Sequence, residues 1–364
     1  MSEDVRVVVD RDGTSLGELA EVMDGASVEL APGAVDALRE GRSVIEGYLG
    51  NDRPIYGVNT GFGRLANTVV DAGSLERLQQ NLLRSHACGT GPLFGRGLVR
   101  GILFLRIASL CRGRSGARPE TVDQMLAFLN GPVFPAVPTK GSLGASGDLA
   151  PLAHLCLPLL GEGYCVHEEE LISGATALEV LGREPIALGA KEGLALINGT
   201  QVLTATAADA LLRARRLADA TDVALSMSLE VLMGTTAAFD PELLGLRPHP
   251  GAVAVGRNVL AMMEGSEILE SHRNCSRVQD AYSLRCAPQV HGASRDAMDY
   301  VEAVLATELR SVTDNPLLMD DGRAVSGGNF HGQPVALAAD HLGLAASELG
   351  SISERRIERV LNPD

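Results

Sequence analysis

Residues 141–154 read GSLGASGDLAPLAH, with Ala145-Ser146-Gly147 at the centre. A tripeptide of this kind can do chemistry on its own backbone. If the chain is bent tightly, the amide nitrogen of Gly147 can attack the carbonyl carbon of Ala145 and close a five-membered ring. Loss of water then turns Ser146 into a dehydroalanine-like unit, an electrophile made from main chain. Gly147 permits the strained approach, Ser146 supplies the leaving hydroxyl, and Ala145 crowds neither. Taken alone, the same residues also suit a plain helix entry, with Ser146 or Asp148 capping DLAPLAHL.

Other chemistries fit less well. GFGRLA at 61–66 has the form G-x-G-x-x-[GA], but DRPIYGVNT before it is a poor buried strand, so a Gly-bearing loop is expected there rather than a dinucleotide site. HEEEL at 167–171 lacks the second His of a zinc helix, the eight histidines are scattered, and no metal is expected. GASGD sets Asp148 where a nucleophile elbow needs Gly, which counts against an esterase.

The elements that must position such a loop are mostly helices. VRVVV near the N-terminus is a strand candidate, followed by helix-like GELAEVMDG and GAVDALREGRSVIEGYL with Gly25 and Gly50 as stops. Residues 51–68 read as an ordered loop, SLERLQQNLLRSHACG as a helix, and 96–112 and 119–130 as two more. Beyond position 198 the texture becomes all-helical. QVLTATAADALLRARRLADATDVALSMSLEVLMG is a 34-residue helical run closed by Gly234, apolar on nearly every turn and so expected to be nearly all core. Two further long helices are expected at 292–312 and 334–361. The fold class read from this pattern is mainly α, a long-helix bundle over 198–364 with a smaller mixed N-terminal lobe over 1–197.

Composition bounds the partners. The 364 residues are 45% hydrophobic, enough for a large core, yet only 3% aromatic with no Trp, which suits closely packed helices. A formal charge of −15 disfavours nucleic acid and acidic membrane surfaces. Six cysteines without a Cys-x-x-Cys pair, a charged N-terminus and no apolar run of membrane-spanning length point to the cytoplasm.

The longer motif is more specific than its tripeptide. GSLGASGDLAPLAH resembles the signature of ammonia-lyases and aminomutases that use the 4-methylideneimidazol-5-one (MIO) group, formed autocatalytically from Ala-Ser-Gly. YGVNTGFG (56–63), NLLRSHACGTG (81–91), EGLALINGTQ (192–201), QDAYSLRCAPQVHG (279–292), TDNPL (313–317) and SGGNFHGQPVA (326–336) resemble further blocks of that family, in its order. Within the family, Ser85-His86 and QDAYSLRC look most like the histidine ammonia-lyases.

The resemblance implies elimination of ammonia from L-histidine to give trans-urocanate, with an MIO from Ala145, Ser146 and Gly147 and no external cofactor. Tyr56 resembles the catalytic base; an ordinary phenol titrates near ~10, so its neighbours would have to lower it. Arg285 resembles the clamp on the substrate carboxylate. Asn198, Gln279 and Tyr282 look like hydrogen-bonding groups of the site, His86 would meet the substrate side chain, and Phe330 resembles an aromatic wall. Asp148 is implied to assist ring formation, Asn59 has a softer role, and His154 and His331 read as packing or supporting groups. The family implies a homotetramer with sites built from several subunits. Its members continue beyond the position matching Asp364 through a helical region whose glutamate helps bind the imidazole, and that region has no counterpart in this sequence. Apolar surface left uncovered on the bundle is expected from the same comparison. The alternatives are another MIO enzyme, a tyrosine or phenylalanine ammonia-lyase or aminomutase, and an inert helical scaffold.

Overall fold

The computed structural model describes residues 5–49, 55–60, 72–274 and 276–362. The GFGRLA segment, Gly50 and Cys275 lie outside the described residues. The chain forms two compact units, Met1–Thr206 with Leu305–Val335, and Ala207–Val304 with Ala336–Asp364. The textural boundary at 197 is thus a different division from the compact units, because residues 305–335 return to the first.

In the first unit β1 (Arg6–Val9) pairs in parallel with β2 (Ser27–Leu30) across α1 (Leu16–Met23), and α2 (Pro32–Leu49) follows. The start of α1 is set by a capping box. The Ser15 hydroxyl accepts from Glu18 N at 3.2 Å and the Glu18 carboxylate accepts from Ser15 N at 2.8 Å, a device worth about 1 kcal/mol. After α3 (Leu75–His86) and the short β3 (Thr90–Leu93) comes α4 (Arg96–Leu110), buried from Val99 to Leu110 with no polar face. Its arginines survive burial by taking backbone carbonyls. Arg100 donates to Val22 at 2.9 Å and also to Leu129 and Ala26.

Next come α5 (Pro119–Asn130), β4 (Phe134–Pro135) and β5 (Pro138–Lys140), the last pairing with β3. They lead to α6 (Leu149–Cys156), which begins directly after the Ala-Ser-Gly loop. HEEEL forms the turn of a hairpin between β6 (Tyr164–His167) and β7 (Glu170–Ser173), with Glu168 and Glu169 both at positive φ. The unit is completed by α7 (Gly174–Leu181), α8 (Glu192–Ile197), the first residues of α9 (Gln201–Val231), and the hairpin of β8 (Leu317–Leu318) with β9 (Ala324–Val325).

The second unit holds the rest of α9, then α10 (Pro241–Gly245), α11 (Pro250–Met263), α12 (Glu267–Ser271), α13 (Tyr282–Arg285), most of α14 (Ala287–Glu308), and α15 (Gln333–Leu361) from Ala336 on. Leu225, Leu229, Phe239, Val255, Val259, Leu284, Ala287 and Ile352 make its core. At Gly251 and Gly292 backbones meet: a Cβ on Gly292 would lie 2.3 Å from the Ala252 nitrogen. Expectations for α9 need correction. It is only partly buried rather than nearly all core, because Arg213, Leu217, Asp219 and Met227 are exposed. It also ends at Val231, and the left-handed residue after it is Met233, not Gly234. Leu337, Leu344 and Ile357 of α15 are exposed. Among the described residues, no helix is long and apolar enough to cross a membrane.

Candidate functional site

The loop 141–148 is a tight turn. Leu143 and Gly147 form an antiparallel bridge, with Leu143 N donating to Gly147 O at 2.9 Å, and Gly144 and Gly147 take φ values of +87° and +82°. Both dihedrals lie in the left-handed region that glycine enters without steric cost. Ser146 at the turn is only 4% exposed, while Ala145 faces outward. The Ala145 carbonyl accepts from Gly332 N at 2.9 Å. A side chain at 332 could not sit there easily, since its Cβ would lie 2.9 Å from Leu203 Cδ2 and 3.3 Å from Ser146 O.

Asp148 departs from the helix-entry reading. It occupies the position before α6 but makes no side-chain cap on that helix. Its Oδ2 instead accepts from Val202 N and Leu203 N at 2.8 and 2.9 Å, capping α9. The side chain is fully buried and Oδ1 has no partner among the described residues. Burial pushes its carboxyl up to about 7, against the two N–H donors and the Arg106 charge. Burial likewise pushes the thiol of Cys156, at the far end of α6, up to about 12. Glu308, which accepts from Thr200 Oγ1 at 2.5 Å, is likewise raised by burial.

Asn198 stands at the C-terminal cap of α8, held from both ends of its amide and peptide group. Its Nδ2 donates to Asp314 Oδ1 at 3.1 Å and to Asn315 O at 3.4 Å, and its carbonyl accepts from Arg106 Nη1 at 3.2 Å. Asp314 Oδ2 in turn accepts from Lys191 Nζ at 2.6 Å, with both side chains wholly buried. Burial lowers the Lys191 ammonium and the Arg106 guanidinium from their ordinary values, and Asp314 opposes both. Arg106 also holds Gln201 Oε1 at 2.7 Å, and Gln201 Nε2 reaches Thr313 Oγ1 at 2.7 Å. Asn198 is therefore fixed by the TDNP loop and α4 together.

Tyr56 lies half-buried in a turn at 55–60. Asn59 Oδ1 accepts from Ile55 N at 2.7 Å, Thr60 Oγ1 accepts from Gly57 N at 3.2 Å, and Val58 packs with Ile45, Leu75, Ala190 and Leu318. Burying a valine of this kind contributes about 1.5–3 kcal/mol to holding the turn. Tyr56 borders a cleft of about 330 Å³ with Tyr48, Pro316, Arg323 and Ser326. Tyr48 braces its wall, donating to Gly322 O at 2.7 Å and accepting from Ala324 N at 3.2 Å.

His86 ends α3 with Nδ1 2.8 Å from Leu82 O; a carbonyl only accepts, so Nδ1 carries a proton. His154 Nε2 accepts from Gly89 N at 3.0 Å, which makes it a brace for the loop after His86, and burial lowers its basicity. Phe330 is half-buried, and His331 Nδ1 accepts from Gln333 N at the start of α15. Gln279, Tyr282 and Arg285 lie in the second unit. There Arg285 Nε donates to Asp280 O at 3.1 Å, and Asp280 Oδ2 accepts from Thr235 N at 2.6 Å. Tyr282 is 57% exposed.

The sequence from residue 14 to 364 matches the aromatic amino acid lyase family. The chain belongs to that family. It is 52% identical to a histidine ammonia-lyase of Gloeobacter violaceus over 97% of this chain and 70% of that protein. The crystal structure of histidine ammonia-lyase from Trypanosoma cruzi superposes with a TM-score of 0.88 at 42% identity, covering 99% of this chain and 68% of that one. Tyrosine aminomutase from Streptomyces globisporus gives 0.91 at 35% identity, covering 98% of this chain and 71% of that one. The mainly α architecture expected from the sequence is the one these relatives share.

Lys191, Arg106 and Asp314, which fix Asn198, escaped sequence reasoning. Asp314 lies within TDNPL, and Lys191 directly precedes EGLALINGTQ. A buried lysine at a φ of +67° leaves no trace in composition.

Proposed function

We propose that the chain eliminates ammonia from L-histidine to give trans-urocanate, a carbon–nitrogen lyase reaction. The observation that carries this reading is the buried Ser146 in a turn closed by Leu143 and Gly147, read with 52% identity to a histidine ammonia-lyase. The difficulty of the reaction is the removal of a weakly acidic β-proton while a poor leaving group departs.

The residues present fit the MIO group: the positive φ of Gly147 allows the bend, the Ser146 hydroxyl can leave as water, and the orphaned Asp148 Oδ1 lies at the next residue. The Gly332 amide polarises the Ala145 carbonyl, the carbon that ring closure attacks. Once formed, the ring supplies an electrophile for the substrate amine. In this reading Tyr56 takes the β-proton, Arg285 holds the carboxylate through its two-pronged donors, and Asn198, Gln279 and Tyr282 donate and accept around the reacting groups. His86 faces the imidazole with Nε2, the ring nitrogen not used on Leu82, and Phe330 walls the site. A homotetramer and a cytoplasmic place in histidine breakdown belong to the same reading; the free thiols at Cys111, Cys156 and Cys165 suit a reducing compartment and bear on the second alone.

Similarity to a tyrosine aminomutase at a TM-score of 0.91 favours a second reading, an MIO enzyme acting on tyrosine. Identity of 35% there against 52% for the lyase supports histidine. The test is incubation with histidine, tyrosine and phenylalanine, following conjugated products by absorbance and β-amino acids by chromatography. Urocanate from histidine is expected, and β-tyrosine in its place would overturn the assignment. Intact mass should lie two waters, roughly 36 Da, below the encoded chain, one from the Ala145 carbonyl oxygen at ring closure and one from the Ser146 hydroxyl, and Ser146→Ala should abolish turnover and the loss of both.

A further inference from the structure

His291 of α14 is fully buried in the second unit between two charged partners. Its Nδ1 lies 2.7 Å from Asp222 Oδ1 on α9 and its Nε2 lies 2.5 Å from Arg356 Nη2 on α15. A guanidinium only donates, so Nε2 must offer its lone pair to Arg356, and the single ring proton sits on Nδ1, donated to Asp222. His291 is thereby held neutral in one tautomer. The second oxygen of Asp222 accepts from Arg295 Nη2 at 2.6 Å and from Asn258 Nδ2 of α11 at 3.0 Å. Four helices thus converge on one buried network, in which Arg295 Nε is the atom without a partner among the described residues.

That network reaches α13 through one bond. Arg356 is 3% exposed, and its Nε donates to the carbonyl of Ser283 at 3.1 Å, between Tyr282 and Leu284. Four residues cannot hold a helix in place by themselves. The orientation of α13 must come from its attachments: Arg356 on Ser283, Leu284 packed in the unit's core, the bond from Arg285 Nε to Asp280 O, and its continuation into α14 at Ala287.

We infer that Asp222, His291 and Arg356 form a positioning relay that fixes α13, and with it the directions of Tyr282 and Arg285. The inference rests on the substrate roles proposed above for those two residues. His291 sets the guanidinium plane of Arg356, because its fixed lone pair accepts one prong while the Nε prong takes Ser283. Neither His291 nor Arg356 touches substrate in this account; they act through the carbonyl of Ser283.

The test compares Arg356→Lys, Arg356→Met, His291→Leu and His291→Gln with the parent chain. Glutamine can still donate to Asp222 and accept from Arg356, so it is the rescue variant. Arg356→Lys keeps a charge but loses the second prong. At temperatures well below each variant's Tm, KM should rise about tenfold or more in Arg356→Lys, Arg356→Met and His291→Leu, as expected for a displaced carboxylate clamp, and return to within about threefold in His291→Gln. Independently of turnover, ¹⁵N-histidine NMR at neutral pH should show His291 protonated on Nδ1 alone. A lowered Tm with unchanged KM in all variants would reduce the relay to a structural feature and overturn the inference, as would an Nε2-protonated His291. A parent chain that turns over tyrosine but not histidine would instead overturn the proposed substrate, and the KM comparison would then be read with tyrosine.

Discussion

Asp148→Asn separates the charge of a buried carboxyl from its hydrogen bonding. The amide oxygen of asparagine can still accept from Val202 and Leu203, whose N–H groups lie 2.8 and 2.9 Å from Oδ2, so the cap on α9 is kept. A proton equilibrium is removed. Burial lifts the carboxyl from its ordinary 3.8 to about 7. Between those values the folded chain keeps a proton that the unfolded chain has released. The contribution to stability is therefore full below about pH 4, falls as pH rises through the window, and is level above about 7. Each pH unit in the window is worth about 1.4 kcal/mol, so its width of about three pH units carries roughly 4 kcal/mol. Glu308 slopes the same way and its charge also raises Asp148, so the difference between the chains reports Asp148 together with that coupling. Urea unfolding of both chains at several pH values from about 4 to 8 measures it. The variant should gain on the parent by about 1.4 kcal/mol per pH unit up to about pH 7 and hold that lead beyond. Parallel pH–stability curves would refute the account of burial.

Gly147→Ala puts a Cβ on a residue at +82° and 3.0 Å from Ser142 Oγ, so a loss of about 1–2 kcal/mol in thermal unfolding and an intact mass left at the encoded value are expected. Lys191→Met strands the Asp314 carboxylate in the interior and should cost about 3–5 kcal/mol by denaturant midpoint, with part recovered when Asp314→Asn is added. Gly292→Ala drives a Cβ to 2.3 Å from the Ala252 nitrogen, where the neighbour is backbone and cannot turn aside; a loss of about 1–3 kcal/mol in a thermal melt is expected.

The long helices were legible because each signals itself locally: 119–130 matches α5 residue for residue, and the runs beyond 198 reappear as α9, α14 and α15. What the sequence could not give was which side of a helix meets protein. The apolar residues of α9 repeat on every turn, yet Leu217 and Met227 are exposed, since burial depends on what lies opposite. The site divides in the same way. Ala145-Ser146-Gly147 could be read from its own chemistry and its block, whereas the partners of Asp148 lie 54 and 55 positions away and those of Asn198 more than 90. The choice between capping α6 and capping α9 is made by tertiary packing, which local propensity does not encode.

The bond from Gly332 N to Ala145 O also sets an order in time. Ribosomes emit chains from the N-terminus at roughly 5–20 residues per second, so the residue that closes over the turn emerges roughly ten to forty seconds after the turn itself. During that interval Ala145, Ser146 and Gly147 are a plain peptide whose carbonyl lacks its donor. Maturation that needs the closed turn must therefore wait for the return of residues 305–335 to the first unit, and a nascent chain stalled before Gly332 should carry an unaltered serine.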